Sequence, residues 1–139
     1  MPTTQQENPS GHRRLKFRRL RDIYAIVQLA PDSAAPEWAA KGEFSSVTRT
    51  PDELSIVCPI DNLPADVSSV HRWICLKLEG PFPLSLTGIL LSFIEPLSNN
   101  SIPIFAIATF DTDYVLIPEE FAGTALSALQ DAGHQLISE

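Results

Sequence analysis

The stretch "LSLTGILLSFIEPL" repeats its apolar side chains at the spacing of an α-helix. Leu86, Ile89, Leu90, Phe93, Ile94 and Leu97 fall at i, i+3, i+4, i+7, i+8 and i+11, so one face is apolar throughout and must pack against something. Ser85 is the N-cap this pattern predicts, and Pro96 falls in the last turn, which it bends or tightens. On either side stand apolar runs of strand length. "RWICLKLEGP" precedes the helix and closes at Gly80-Pro81, while "IPIFAIAT" and "DYVLIP" follow it. Pro118, Glu119 and Glu120 then open a second helix with Phe121, Ala125, Leu129 and Ala132 on one face and Gly133 as its stop, before a short strand "HQLI". The second half therefore reads β-α-β-β-α-β, the ferredoxin-like order, in which helices cover one face of an antiparallel sheet.

The first half echoes this order in shortened form. "YAIVQL" matches "WICLKL" as an aromatic-led strand, Phe44 to Thr48 matches Phe105 to Thr109, and Pro59 closes the first hairpin as Pro118 closes the second. Its helix shrinks to "APEWAAKG", about two turns, and the second helix is missing. Pro51-Asp52 makes the turn between "EFSSVTRT" and "DELSIVCP". The expectation is an α+β chain of two halves: a disordered tail over 1–13, a truncated half over 14–70 and a complete one over 71–139. A length of 139 residues accommodates both.

Charge is unevenly spread. Arg13, Arg14, Lys16, Arg18, Arg19 and Arg21 are six of the ten basic residues, whereas from Asp22 onward sixteen acids face only Lys41, Arg49, Arg72 and Lys77. Such an acidic body repels phosphate backbones, so nucleic acid is not an expected partner. "HRRLKFRRLR" could serve as a nucleic-acid arm, but Leu15 and Phe17 alternate with Arg14, Lys16 and Arg18 as in a half-buried strand, and that reading is preferred. No apolar run approaches a membrane span and the polar start lacks a signal-peptide core, so a soluble cytoplasmic protein is expected.

Catalytic and metal chemistry find little support. Cys58 and Cys75 sit inside apolar strand-like runs, where buried thiols are the simplest reading. His12, His71 and His134 do not cluster with either cysteine at zinc-site spacing. A Cys75 nucleophile with His71 as base would lack the turn or helix terminus that supplies oxyanion donors. Asp111 and Asp113 in "FDTDYVLIP" flank one threonine, but no Gly-rich phosphate loop accompanies them, and a turn between two core strands explains both acids. No cofactor is expected.

Several separated motifs together resemble the small tandem ACT-domain proteins, a group related to aspartate kinase regulatory domains and to the cytosolic arginine sensor of animals. They are "GEFSSVTRTPDELSIVCP", "WICLKLEGPFPLSLTGIL", "IPIFAIATFDTDYVLI" and "ALSALQDAGH", in that order, and the match covers roughly Asp22 to Ile137. The resemblance implies a non-catalytic regulatory module that binds an amino acid or similar small carboxylate at an ACT–ACT interface, works as a homodimer and can act on a regulated protein partner. It places the ligand at the turn into the helix, here Ser85, Thr87, Gly88 and Ile89, against residues near the second strand and hairpin, Thr109, Asp111 and Thr112. Ser46 and Val47 hold the equivalent strand of the first half. Helix N-terminal amides can hold a carboxylate; equally, Ser85 or Thr87 merely caps the helix and Gly88 makes room for a strand. Arg49 could favour an anionic ligand or pair with an acid. The alternative function is a dimerisation module without a working ligand site, built on the apolar runs of the sheet edge.

Overall fold

A computed structural model describes residues 13–69 and 71–137. The strands are β1 (Lys16–Arg19), β2 (Tyr24–Leu29), β3 (Ser46–Arg49), β4 (Leu54–Pro59), β5 (Trp73–Leu78), β6 (Phe105–Ala108), β7 (Asp113–Pro118) and β8 (Gln135–Leu136). Helix α1 spans Ile89–Asn99 and α2 spans Ala122–Asp131. The architecture is α+β with a mostly antiparallel arrangement of strands. By its contacts the chain divides at Leu20/Arg21 and Ile74/Cys75, where the sequence drew its boundaries at 13/14 and 70/71. One unit is contiguous, Arg21–Ile74; the other joins the chain up to Leu20 to the chain from Cys75 onward. Of the expected tail only Arg13 is described, and His12 lies outside the described residues.

The contiguous unit is a three-stranded antiparallel sheet in the order β3-β4-β2. The β2–β4 ladder is in register from Tyr24 opposite Pro59 to Leu29 opposite Leu54, and β3 lies on the far side of β4 with Val47 opposite Ile56. Ala25, Val27, Leu54, Ile56 and Cys58 form its core with Ala39. The expected two-turn helix at "APEWAAKG" is a single 3-10 turn, Glu37–Ala40. Lys41 already has extended dihedrals and Gly42 has φ 103°, so the helix stops after the one turn that buries Ala39. Arg49 is exposed on β3 and tied to the loop after β2. Its guanidinium donates to the Pro31 carbonyl and, at 2.7 Å, to the Ser33 carbonyl.

The other unit runs β5-α1-β6-β7-α2-β8, with strands in the order β6-β7-β5-β1-β8. Strand β1 was expected in the first half; it lies here instead. It pairs antiparallel with β5, Phe17 opposite Leu78, and parallel with β8, Phe17 opposite Leu136. In a simple βαββαβ sheet the first and last strands would be direct neighbours; here β1 separates them. The basic segment is indeed a half-buried strand. Leu15 and Phe17 are buried, Arg14 and Lys16 are exposed, and Arg18 is ion-paired to Glu79. Phe17 meets Phe93 of α1 edge to face at 5.2 Å, a favourable aromatic geometry. Leu97, Leu116, Ala125 and Leu129 complete a core with no solvent exposure.

Helix α1 departs from expectation at its start. It begins at Ile89 rather than Leu86, because Gly88 has φ 83° and a right-handed helix cannot extend back through a left-handed residue. Ser85 is therefore not its cap, and no described side chain caps it. Pro96 lies in the last turn, as expected, and the helix ends at Asn99. A proline has no N–H to offer the carbonyl four residues back, which here belongs to Ser92. The ring Nε2 of His134 lies 2.9 Å from that oxygen and supplies the missing donor.

His134 is held in place by the end of α2. Gly133, at φ 97°, donates to the Gln130 carbonyl, and the His134 amide donates to the Leu129 carbonyl, both at 3.0 Å. That is the Schellman pattern of helix termination. The two units also share one detail of exit geometry. Pro59 ends β4 with φ −54° and ψ 136°, and Pro118 ends β7 with φ −55° and ψ 136°; each is followed by a 3-10 turn. After the second turn Ala122 carries on as α2. After the first, Leu63 is extended, as the residue before Pro64 must be.

Candidate ligand cleft

The segment from Gly80 to Ile89 and the β6–β7 hairpin form a cleft of about 210 Å³ in the discontinuous unit. The hairpin closes with Ala108 opposite Asp113, leaving Thr109 to Thr112 as its loop. Thr109 organises that loop. Its amide and its hydroxyl both donate to the Thr112 carbonyl, at 2.8 and 3.0 Å, and its Oγ1 accepts the Thr112 amide at 3.3 Å. Thr112 is buried and donates its hydroxyl to the Leu78 carbonyl at 2.8 Å, tying the loop to β5. Opposite, the Phe82 amide donates to the Asp111 carbonyl at 2.8 Å. Gly80 makes that approach feasible, since a Cβ there would lie 2.9 Å from the same carbonyl.

One wall of the cleft is apolar, from Phe82, Pro83, Leu84, Leu86 and Ile89; the other is residues 108–113. Leu84 and Phe110 stand on the rim, 72% and 78% exposed. The charged lining residues are Asp111 and Asp113, and no described Lys, Arg or His lines the cleft beside them. Burial of the half-buried Asp113 pushes its carboxyl above the usual value of 3.8, since desolvation disfavours the ionised form.

Of the residues singled out in the sequence, Ile89, Thr109, Asp111 and Thr112 meet in this cleft. Thr112 spends its hydroxyl on the fold, so its contribution to the cleft wall is mainly shape. Ser85, Thr87 and Gly88 lie on the adjoining turn without lining the cleft; Ser85 and Thr87 are exposed, and the Thr87 carbonyl accepts Arg13 Nε–H at 3.1 Å. Ser46 and Val47 lie on β3 of the contiguous unit, Ser46 half-buried and Val47 exposed. Sequence reasoning missed Phe82, Leu84 and Phe110, and it weighed Asp113 with Asp111 as an acid for a ligand's ammonium group while ranking Asp111 first. Asp113 opens β7 directly opposite Ala108. No pattern marked Phe82 or Leu84, because their segment is irregular.

Among the described residues no group of three His, Cys, Asp or Glu is arranged to hold a metal ion, and no described helix is long and apolar enough to cross a membrane. Comparison with known proteins bears on the same segments. A family model described as an ACT domain matches residues 68–131, and a second, described as an N-terminal domain, matches residues 22–66. A crystal structure of an Agobacterium tumefaciens protein shares 46% identity and a TM-score of 0.84, covering 91% of this chain and 94% of the other. A Vibrio cholerae protein of unknown function shares the fold, at TM-score 0.70 and 19% identity over 86% of this chain and 90% of that one. The human protein CASTOR3P is 30% identical over 88 residues, 54% of this chain and 54% of its own length. The present chain thus spans about half the length of that curated relative. The ACT model falls on the stretch that carries α1, the β6–β7 hairpin and α2, and the chain is an ACT-domain protein.

Proposed function

We propose that this chain is a non-catalytic regulatory module that binds an amino acid or similar small carboxylate in the cleft between the start of α1 and the β6–β7 hairpin. The observation that carries the reading is the cleft's make-up at the end of an uncapped helix. At about 210 Å³ it falls below the ~300–1,000 Å³ of drug-sized sites and suits a metabolite of amino-acid size. The first amides of α1 have no intrahelical acceptor and no side-chain cap, so a carboxylate gains their N–H groups and the helix dipole. Asp111 and Asp113 suit an ammonium group, and the apolar wall suits a side chain. The likeness to ACT domains supports regulation rather than catalysis.

We read the two units as diverged ferredoxin-like halves, supported by the matching exits at Pro59 and Pro118. The chain acts as a homodimer in which a second copy supplies the facing wall, with Ser46 and Val47 of that copy as residues to test, and occupancy is passed to a regulated protein. Cys58 and Cys75 are buried as thiols rather than joined in a disulfide, which suits the reducing cytoplasm.

A thermal-shift screen of the twenty amino acids and small carboxylates at millimolar concentration tests this. A native-state ligand at a hundred times its Kd stabilises by ~2.7 kcal/mol, and Asp111→Ala should abolish the shift. No shift from any compound sinks the ligand reading. The exposed rim residues Leu84 and Phe110 favour a second reading, a dimerisation module. Sedimentation that shows a dimer indifferent to every compound and weakened by Phe110→Asp would establish it in place of the first.

A further inference from the structure

We propose that His134 is a proton-sensitive latch that holds the chain entering β1 onto α1. His134 is 3% exposed, and both ring nitrogens have fixed roles. The Leu15 amide can only donate, so Nδ1, 3.1 Å away, must accept; the Ser92 carbonyl can only accept, so Nε2, 2.9 Å away, must carry the proton. The neutral Nε2–H tautomer satisfies both bonds at once. A second proton would sit on Nδ1 and point at the Leu15 N–H, donor against donor, and the bond to the entering strand would break. Burial leaves Leu15 N–H no compensating water while the corner stays closed.

The neighbouring contacts set what the latch holds. Ser92 Oγ accepts the Arg13 amide at 2.9 Å, and Arg13 Nε reaches the Thr87 carbonyl, so opening at Leu15 also frees the turn before α1. The Gln135 amide donates to the Leu15 carbonyl at 2.9 Å, so β8 feels the same event. The charged groups around the ring are few. Arg13 and Arg14 come from the segment before β1, and the Arg14 stem covers Gly133. Glu95 on α1 and Asp131 on α2 are both exposed to solvent, and β8 contributes only Gln135. The two arginines oppose a third positive charge in this corner.

Amide hydrogen exchange on the full chain, followed by NMR from about pH 7.5 to about pH 5, tests the latch across the range in which an ordinary imidazole titrates. After correction for intrinsic rates, protection of Leu15 should fall by up to about tenfold per pH unit below ~6.5, because the open form takes up a proton the closed form excludes. Amides of the β2–β4 ladder should hold constant. His134→Gln keeps a donor and an acceptor but cannot titrate, and its Leu15 protection should not change with pH. Ring nitrogen shifts of the unaltered protein give a second measurement, expected to report the Nε2–H tautomer near neutrality. A flat Leu15 profile in the unaltered protein, an equal fall in the glutamine variant, or a ring protonated on Nδ1 while Leu15 stays protected would overturn the proposal.

Discussion

Pro96 and His134 should be energetically coupled, and a double-mutant cycle would measure by how much. In His134→Ala the Leu15 amide and the Ser92 carbonyl lose their partners. Each stranded buried group costs about 1–3 kcal/mol, so the single variant should lose about 2–6 kcal/mol before the lost packing against Phe93, at 5.4 Å, is added. Pro96→Ala restores a backbone N–H four residues after Ser92. The Ser92 carbonyl then regains an intrahelical partner, and only the Leu15 amide is left stranded when the imidazole is removed. His134→Ala should therefore cost about 1–3 kcal/mol less in the Pro96→Ala background, the value of one such group. Urea titrations of the four proteins, read through amide NMR signals of α1 and α2, give the cycle for the unit concerned. Coupling below about 0.5 kcal/mol, the level at which unrelated sites already add, would refute the claim that His134 stands in for the proline's missing donor.

Two further outcomes follow from the cleft and the turn beside it. Gly88→Ala forces an L-residue into φ 83° and should destabilise by about 1–2 kcal/mol, seen as a fall of several degrees in Tm; an unchanged Tm would mean that the turn can relax. Asp113 has its carboxyl raised above 3.8 by burial, so the folded state binds its proton more tightly than the unfolded state does. Stability associated with this group is full below about pH 3.8 and lost as pH rises through the raised value. Asp113→Asn should accordingly raise Tm at neutral pH and leave it unchanged near pH 3, a difference that would be reversed if the side chain instead gained an ion pair on folding.

How much of this was legible in the sequence depended on whether a feature is periodic or pairwise. The apolar spacing from Ile89 to Leu97 and the run in "DYVLIP" reported their elements directly, because burial of one face leaves a trace every three to four residues in a helix and along the whole of a buried strand. The start of α1 was misread by three residues. The apolar pattern continues to Leu86, and only the left-handed dihedral of Gly88, which a sequence does not display, ends the helix there. The tie between Ser92 and His134 spans 42 residues and has no local signature: a buried serine on the apolar face of α1 looks like a lapse in the pattern until the imidazole is placed beside it. In the cleft, the hairpin residues Thr109, Asp111 and Thr112 could be located by order of elements. Phe82 and Leu84 could not, since an irregular segment has no period from which to infer where its side chains go.

The position of β1 bears on how the molecule is made. Lys16 lies opposite Gln135, so β1 leaves the ribosome long before the strand it pairs with in parallel. The ladder β2–β4, by contrast, lies wholly within Arg21–Ile74 and can form while the rest is still being translated. Until Gln135 and Leu136 emerge, β1 carries the apolar side chains of Leu15 and Phe17 without its second neighbour. Pairing across so long a separation is also the slow kind, since loop closure must precede any gain from contact. A nascent chain stalled shortly before His134 would therefore hold one finished unit and one open, adhesive edge. Chaperone dependence should concentrate at that stage of synthesis.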